Sequence, residues 1–83
     1  MKISVRYFAS IREAIGQGSE AVETAATTLG ALRDELIARG RAHASSLARG
    51  RAVRMALNQT LSDESATLAD GAEVAFFPPV TGG

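Results

Sequence analysis

Glu73-Val74-Ala75-Phe76-Phe77-Pro78-Pro79-Val80-Thr81-Gly82-Gly83 is an apolar strand run into two prolines and a Gly-Gly end. Alternation puts Val74 and Phe76 on one face and Glu73, Ala75 and Phe77 on the other, so one side is buried and Phe77 points away from the core. Pro78 and Pro79 have no N–H and hold φ near about −65°, which ends ladder pairing and sends the chain on extended. Residues 1–77 are therefore expected to form a folded body and residues 78–83 a tail that leaves it. Six residues at roughly 3.3–3.6 Å each reach about 20 Å. Gly82 and Gly83 carry no Cβ, so the tip fits a passage too narrow for any other residue. What the tip offers is the α-carboxylate of Gly83, which a nucleotide can activate into an acyl donor toward a thiol, a persulfide or an amine. Glycine hinders that attack least. A frayed, functionless end is the plain alternative. The apolar strand and the prolines directly before the glycines favour the reactive tail.

The remaining composition narrows the classes. A chain of 83 residues makes one domain with a modest core, too small for an enclosed active site plus a cofactor fold. Nine basic and nine acidic residues cancel, and no run of one sign occurs, so nothing attracts nucleic acid or a membrane surface and the expected partners are proteins. The absence of Cys removes disulfides, thiolate metal sites and Cys nucleophiles, leaving any sulfur chemistry to the chain's end. No apolar stretch approaches the roughly 18 residues of a membrane span, and Met1-Lys2-Ile3-Ser4-Val5-Arg6 alternates where a signal peptide would be uniformly apolar. A cytoplasmic location is the expectation.

Upstream of the tail, residues 2–8 alternate with Ile3, Val5 and Tyr7 inward, which leaves Phe8 as a large apolar residue on the outer side. Ser10-Ile11-Arg12-Glu13 fits a capping box for a short helix that Gly16 stops. Residues 19–24 read as a strand of open register, pairing as a hairpin with the first. Thr27 or Thr28 caps a main helix with Leu29, Leu32, Leu36 and Ile37 at helical spacing and Gly40 at its end; Arg33 and Asp34 are expected on its outer side. Residues 41–52 suggest one helical turn and a loop. His43 has no companion ligand and is expected at the surface. Arg41, Arg49, Arg51 and Arg54 form a loose basic cluster, read as a solvated face before a docking patch for an acidic partner. Val53, Met55 and Leu57 alternate in a strand, Asn58-Gln59-Thr60 is a turn leaving Leu61 outside, Leu68 plugs the core, and Asp70-Gly71 turns into the last strand. The class is α+β, a mixed sheet on one main helix. Phe8, Leu61 and Phe77 are left outside, and they converge beside the tail only if the first and last strands are neighbours.

The order of elements, with Tyr7-Phe8-Ala9, Arg12-Glu13 and Gly16 near the start, Asn58-Gln59-Thr60-Leu61 in the middle and the 73–83 stretch at the end, resembles the small subunit of molybdopterin synthase, the MoaD family of ubiquitin-like sulfur carriers. The resemblance covers nearly the whole chain except residues 41–52, and Phe-Phe-Pro-Pro-Val-Thr-Gly-Gly is its specific part. It implies a ubiquitin-like β-grasp fold and a cycle in which an E1-like adenylyltransferase uses ATP to adenylate Gly83. A sulfurtransferase system then makes the thiocarboxylate, and the tail, with Val80, Thr81 and Gly82 leading to the tip, enters the large synthase subunit and donates sulfur to cyclic pyranopterin monophosphate. It further implies that Phe8, Arg12, Leu61 and Phe77 form the partner interface, in a heterotetramer of two small and two large subunits. This chain would bind no cofactor or metal of its own and would not be catalytic alone. A thiamine-type sulfur carrier and a ubiquitin-like modifier of lysines use the same terminal chemistry with other acceptors.

Overall fold

The alternation at the start becomes β1 (Lys2–Tyr7), with Ile3, Val5 and Tyr7 buried and Lys2, Ser4 and Arg6 in solvent. These are the first residues of a computed structural model that describes residues 1–79. Phe8 leaves the strand and caps α1 (Ala9–Ile15): its carbonyl accepts from the N–H groups of Ile11 and Arg12 at 3.1 and 3.3 Å. The expected capping box does not form. The chain makes its corner at Ala9, with φ 51°, so Ser10 already lies inside the helix, where its hydroxyl cannot cap. Gly16 does end α1, at φ 90°, a conformation open to glycine without steric cost.

β2 (Ser19–Glu23) then runs antiparallel to β1 with Val22 opposite Ile3 and Glu20 opposite Val5, which settles the register in favour of Val22 facing the core. Thr28 caps α2 (Leu29–Ile37), its hydroxyl accepting from the Ala31 N–H at 3.2 Å. Leu29, Leu32 and Leu36 are fully buried on the sheet, each contributing about 1.5–3 kcal/mol. The helix closes at Ala38, and Gly40 instead precedes α3 (Arg41–Leu47), a longer element than the single turn expected there.

β3 (Arg54–Leu57) turns at Asn58 and Gln59, both at positive φ, into the three-residue β4 (Thr60–Ser62), and β5 (Glu73–Phe77) follows the Gly71 turn. Positive φ at both central residues matches the twist of a tight hairpin. Three residues are too few to show a period, so β4 was not expected. The sheet order is β2-β1-β5-β3-β4, with the central pair β1 and β5 parallel and every other pair antiparallel. This is the α+β, ubiquitin-like β-grasp arrangement, one mixed sheet with its helices on the inner face. Leu47, Met55, Leu68, Val74 and Phe76 complete the core.

Two polar side chains depart from expectation. Arg33 is only 4% exposed: its Nε donates to the Leu47 carbonyl at 2.7 Å, one Nη to the Ala48 carbonyl at 2.9 Å, and the other meets Glu64 at 3.4 Å. The end of α3 has carbonyls without helical partners, and Arg33 supplies the donors they need. His43 is half-buried, with Nε2 2.9 Å from Glu20 and its ring edge-on to Tyr7 at 5.9 Å.

Candidate functional site

The parallel pairing of β1 and β5 decides whether the outward apolar residues meet. Tyr7 lies opposite Phe76, and the Phe8 N–H donates to the Phe76 carbonyl at 3.1 Å, so Phe8 sits beside Phe77 at the point where β5 gives way to Pro78. Phe8 is 39% exposed and Phe77 half-buried. Together with Arg6, Gln59, Glu73 and Ala75 they line a shallow depression on the outer sheet face. The Arg6 guanidinium stands over the Phe8 ring, 5.3 Å from its centroid, a cation–π contact of about 0.5–1 kcal/mol at an exposed site.

Leu61 joins this face from the far edge. Register aligns Arg6 with Ala75, Ala75 with Ala56, and Ala56 with Leu61, one cross-strand row on the side away from the helices. The two alanines make the middle of the row low, and Leu61, 62% exposed, rises beyond them. It borders a second depression with Val53, Arg54 and Met55 and does not touch the one holding Phe8 and Phe77. The structure thus brings Phe8 and Phe77 together and sets Leu61 on the same face across a trough. Ala56 and Ala75 were missed in the sequence; small residues at outward strand positions beside larger ones were the available signal.

Arg12 lies one helical turn after Phe8 on α1 and is exposed. Its side chain runs over Gly18, where an added Cβ would stand 3.1 Å from Nε. It therefore flanks the sheet face from the α1 side. Pro78 lines a depression together with Ser10, Ile11 and Ala14 of α1 and with Ser46, Arg51 and Ala52. Val80, Thr81, Gly82 and Gly83 lie outside the described residues.

Behind the sheet, Glu20 accepts from the Tyr7 hydroxyl at 2.6 Å and faces His43 at 2.9 Å and Arg39 at 3.2 Å. Burial opposes ionisation of Glu20, but the hydrogen bonds from Tyr7 and His43 and the charge of Arg39 outweigh it and hold the carboxyl below its usual value. Burial and then Glu20 itself push the Tyr7 phenol far above its ordinary value, so it stays a donor. The Tyr7 ring stacks on Phe76 at 6.2 Å, which anchors β5 one residue before the outward Phe77. Among the described residues no three of His, Asp and Glu gather as metal ligands, and no helix is long and apolar enough to cross a membrane. The arrangement presents a strand end and an apolar face to another molecule.

The ThiS family model matches residues 5–83. A molybdopterin synthase sulfur carrier subunit of Escherichia coli (strain K12) is 43% identical over 81 residues, 98% of this chain and 99% of the relative. That of Haemophilus influenzae is 40% identical over the same shares of the two chains. Similar solved structures include a complex of subunits 1 and 2 of molybdopterin-converting factor from Helicobacter pylori, with 28% identity, TM-score 0.70 and all of both chains covered. SAMP1 of Haloferax volcanii matches at 25% identity and TM-score 0.80, again over all of both chains. The chain belongs to the ThiS family, among the ubiquitin-like sulfur carriers related to the small subunit of molybdopterin synthase.

Proposed function

We propose that this chain is the sulfur carrier subunit of a molybdopterin synthase. The Gly83 carboxylate attacks ATP on an E1-like enzyme, releasing pyrophosphate and forming an acyl adenylate. Sulfide-level sulfur from a sulfurtransferase system displaces AMP and leaves a thiocarboxylate; this donates its sulfur to cyclic pyranopterin monophosphate inside the large subunit, and water returns Gly83 to the carboxylate. Two such transfers complete the dithiolene of molybdopterin. The observation that carries this reading is an apolar face, Phe8 beside Phe77, placed at the root of a Pro-Pro…Gly-Gly segment in a chain similar over its full length to sulfur carrier subunits.

In this reading Phe8, Leu61 and Phe77 dock on the large subunit, Arg12 adds a charged contact from α1, and Val80, Thr81 and Gly82 thread the passage that delivers Gly83. The Helicobacter pylori complex of subunits 1 and 2 supports a large-subunit partner. Two small and two large subunits form the assembly, and ATP is used by the activating enzyme while this chain holds no cofactor. Catalytic acids and bases come from the partners. Intact-mass measurement after incubation with the activating enzyme, ATP and a sulfur source tests the reaction: one terminal oxygen exchanged for sulfur is the expected product, and an unmodified chain under conditions that thiocarboxylate a related carrier would refute it. Likeness to SAMP1 of Haloferax volcanii supports, as a second reading, a modifier whose Gly83 carboxylate is conjugated to lysines. Isopeptide adducts on cell proteins, in place of a thiocarboxylate, would select it.

A further inference from the structure

We infer that Arg6, Arg51 and Arg54 form a positive collar around the tail root that docks on a carboxylate-lined rim of the protein that takes up the tail; this rests on the carrier reading above. The structure sorts arginines that look alike in the sequence. Arg33 is held by Glu64 and two carbonyls, Arg39 by Glu20, and Arg49 by Asp34 and Glu64. Among the described residues Arg6, Arg51 and Arg54, the three near the tail root, are exposed and, like Arg12 and Arg41, have no carboxylate within ion-pair distance.

All three sit where the body ends. Arg6 shares a depression with Phe8 and Phe77, Arg54 lies directly across the ladder from Phe77, and Arg51 lines a second depression together with Pro78. The acids nearest them do not cancel this charge. Glu73 lines the depression with Arg6 and Asp63 the one with Arg54, neither within ion-pair distance, and Glu64 is already engaged by Arg33 and Arg49, so three arginines face two unengaged acids. A chain of zero net charge thus carries a local positive field at the tail root.

What faces that field follows from its shape and from the tail's reach. Phe8 and Phe77 lie among the arginines, an apolar centre with a charged border, which is the anatomy of a protein contact and fits neither a phosphate backbone nor a lipid surface. A guanidinium fork matches a carboxylate in two parallel hydrogen bonds. The tip of a six-residue tail, extended into its passage, lies about 20 Å beyond the root. The collar therefore meets the mouth of the passage and plays no part at the reacting atom. Its work is to speed and orient capture of the tail.

Stopped-flow association with the large synthase subunit, at low and moderate salt, tests this. The double substitution R51E/R54E is expected to slow association about tenfold at low salt and to flatten the salt dependence, with a smaller change in dissociation. Arg51 also bonds the Ser45 carbonyl at 3.0 Å, so R54E alone, which touches no such bond, should still slow association about threefold. Lys2→Glu makes the same charge change at the opposite end of β1 and should leave the rate within about twofold of the parent. Parent-like rates and salt slope in R51E/R54E and R54E, or an equal loss in Lys2→Glu, overturn the collar while the carrier reading stands. A parent chain that does not associate at all overturns both.

Discussion

On the helix side of the sheet Glu20 gathers a tyrosine, a histidine and an arginine within 3.2 Å, and Arg33 is buried against Leu47, Ala48 and Glu64. On the other side Arg6 and Arg54 meet no carboxylate among the described residues, and Phe8 and Leu61 stand in solvent. The inner charges are consumed by the fold. They satisfy helix-end carbonyls and lock α2 and α3 to the sheet, so removing one leaves a buried polar group without its partner. Apart from the contact of Arg6 with the Phe8 ring, these outer side chains have no partner among the described residues. Their free energy is available to a second molecule, and changes to the two sides should separate cleanly into stability and docking.

The sharpest way to break that division lies at Gly83, outside the described residues. Deleting Gly83, or adding a residue after it, should abolish sulfur transfer while thermal unfolding and large-subunit binding stay nearly unchanged; a fully active truncated chain would end the mechanism. Next in size, Arg33→Ala should cost about 3 kcal/mol, because two carbonyls lose their donor and half-exposed Glu64 keeps only Arg49. Urea unfolding measures it, and the folded fraction should bind the large subunit as the parent does.

Phe77→Asp inverts the pattern. It should weaken docking by about 2 kcal/mol, roughly 30-fold in Kd, by placing a charge in an apolar contact, and shift the unfolding midpoint far less. Equal affinity in a titration would mean that Phe77 does not face the partner. The smallest effect concerns acid. Because the folded Glu20 carboxyl is held below its usual value, its contribution is fully present above the unfolded value of about 4.3 and is lost as pH falls through the folded value. Glu20→Gln should flatten that acid limb of the stability curve by about 1 kcal/mol, read from urea midpoints against pH. Docking rates measured at neutral pH should not move.

Legibility in the sequence followed periodicity. Alternation over 2–7 and 73–77 and the Leu29, Leu32, Leu36 spacing placed β1, β5 and α2, because a buried apolar stripe must repeat with the backbone. Where a position's role depends on one distant partner there is no period to see. Arg33 reads as an outer-face charge until the end of α3 is folded over it, and His43 reads as a lone surface residue until β2 brings Glu20 within 2.9 Å. Ser10 matched a capping pattern, yet the corner at Ala9 moved the helix start ahead of it. The site shows the same split: Phe8, Leu61 and Phe77 were identified as leftovers of alternation, whereas the basic cluster around Arg51 and Arg54 gave no sign of which arginines stay unpaired.

The sequence by itself determined that an amphipathic strand ends in two prolines and a pair of glycines, that no cysteine competes for sulfur chemistry, and that three large apolar residues lack a place in the core. Those are statements about neighbours along the chain, and local sterics and hydrophobic burial suffice to make them. Only the tertiary structure decided that β1 lies parallel to β5, which puts Phe8 against Phe77, and that Arg54 at the start of β3 and Arg51 just before it reach the tail root while Arg33 and Arg49 do not. Pairing between strands some seventy residues apart is chosen by the packing of the whole core, so no stretch of the chain can announce it.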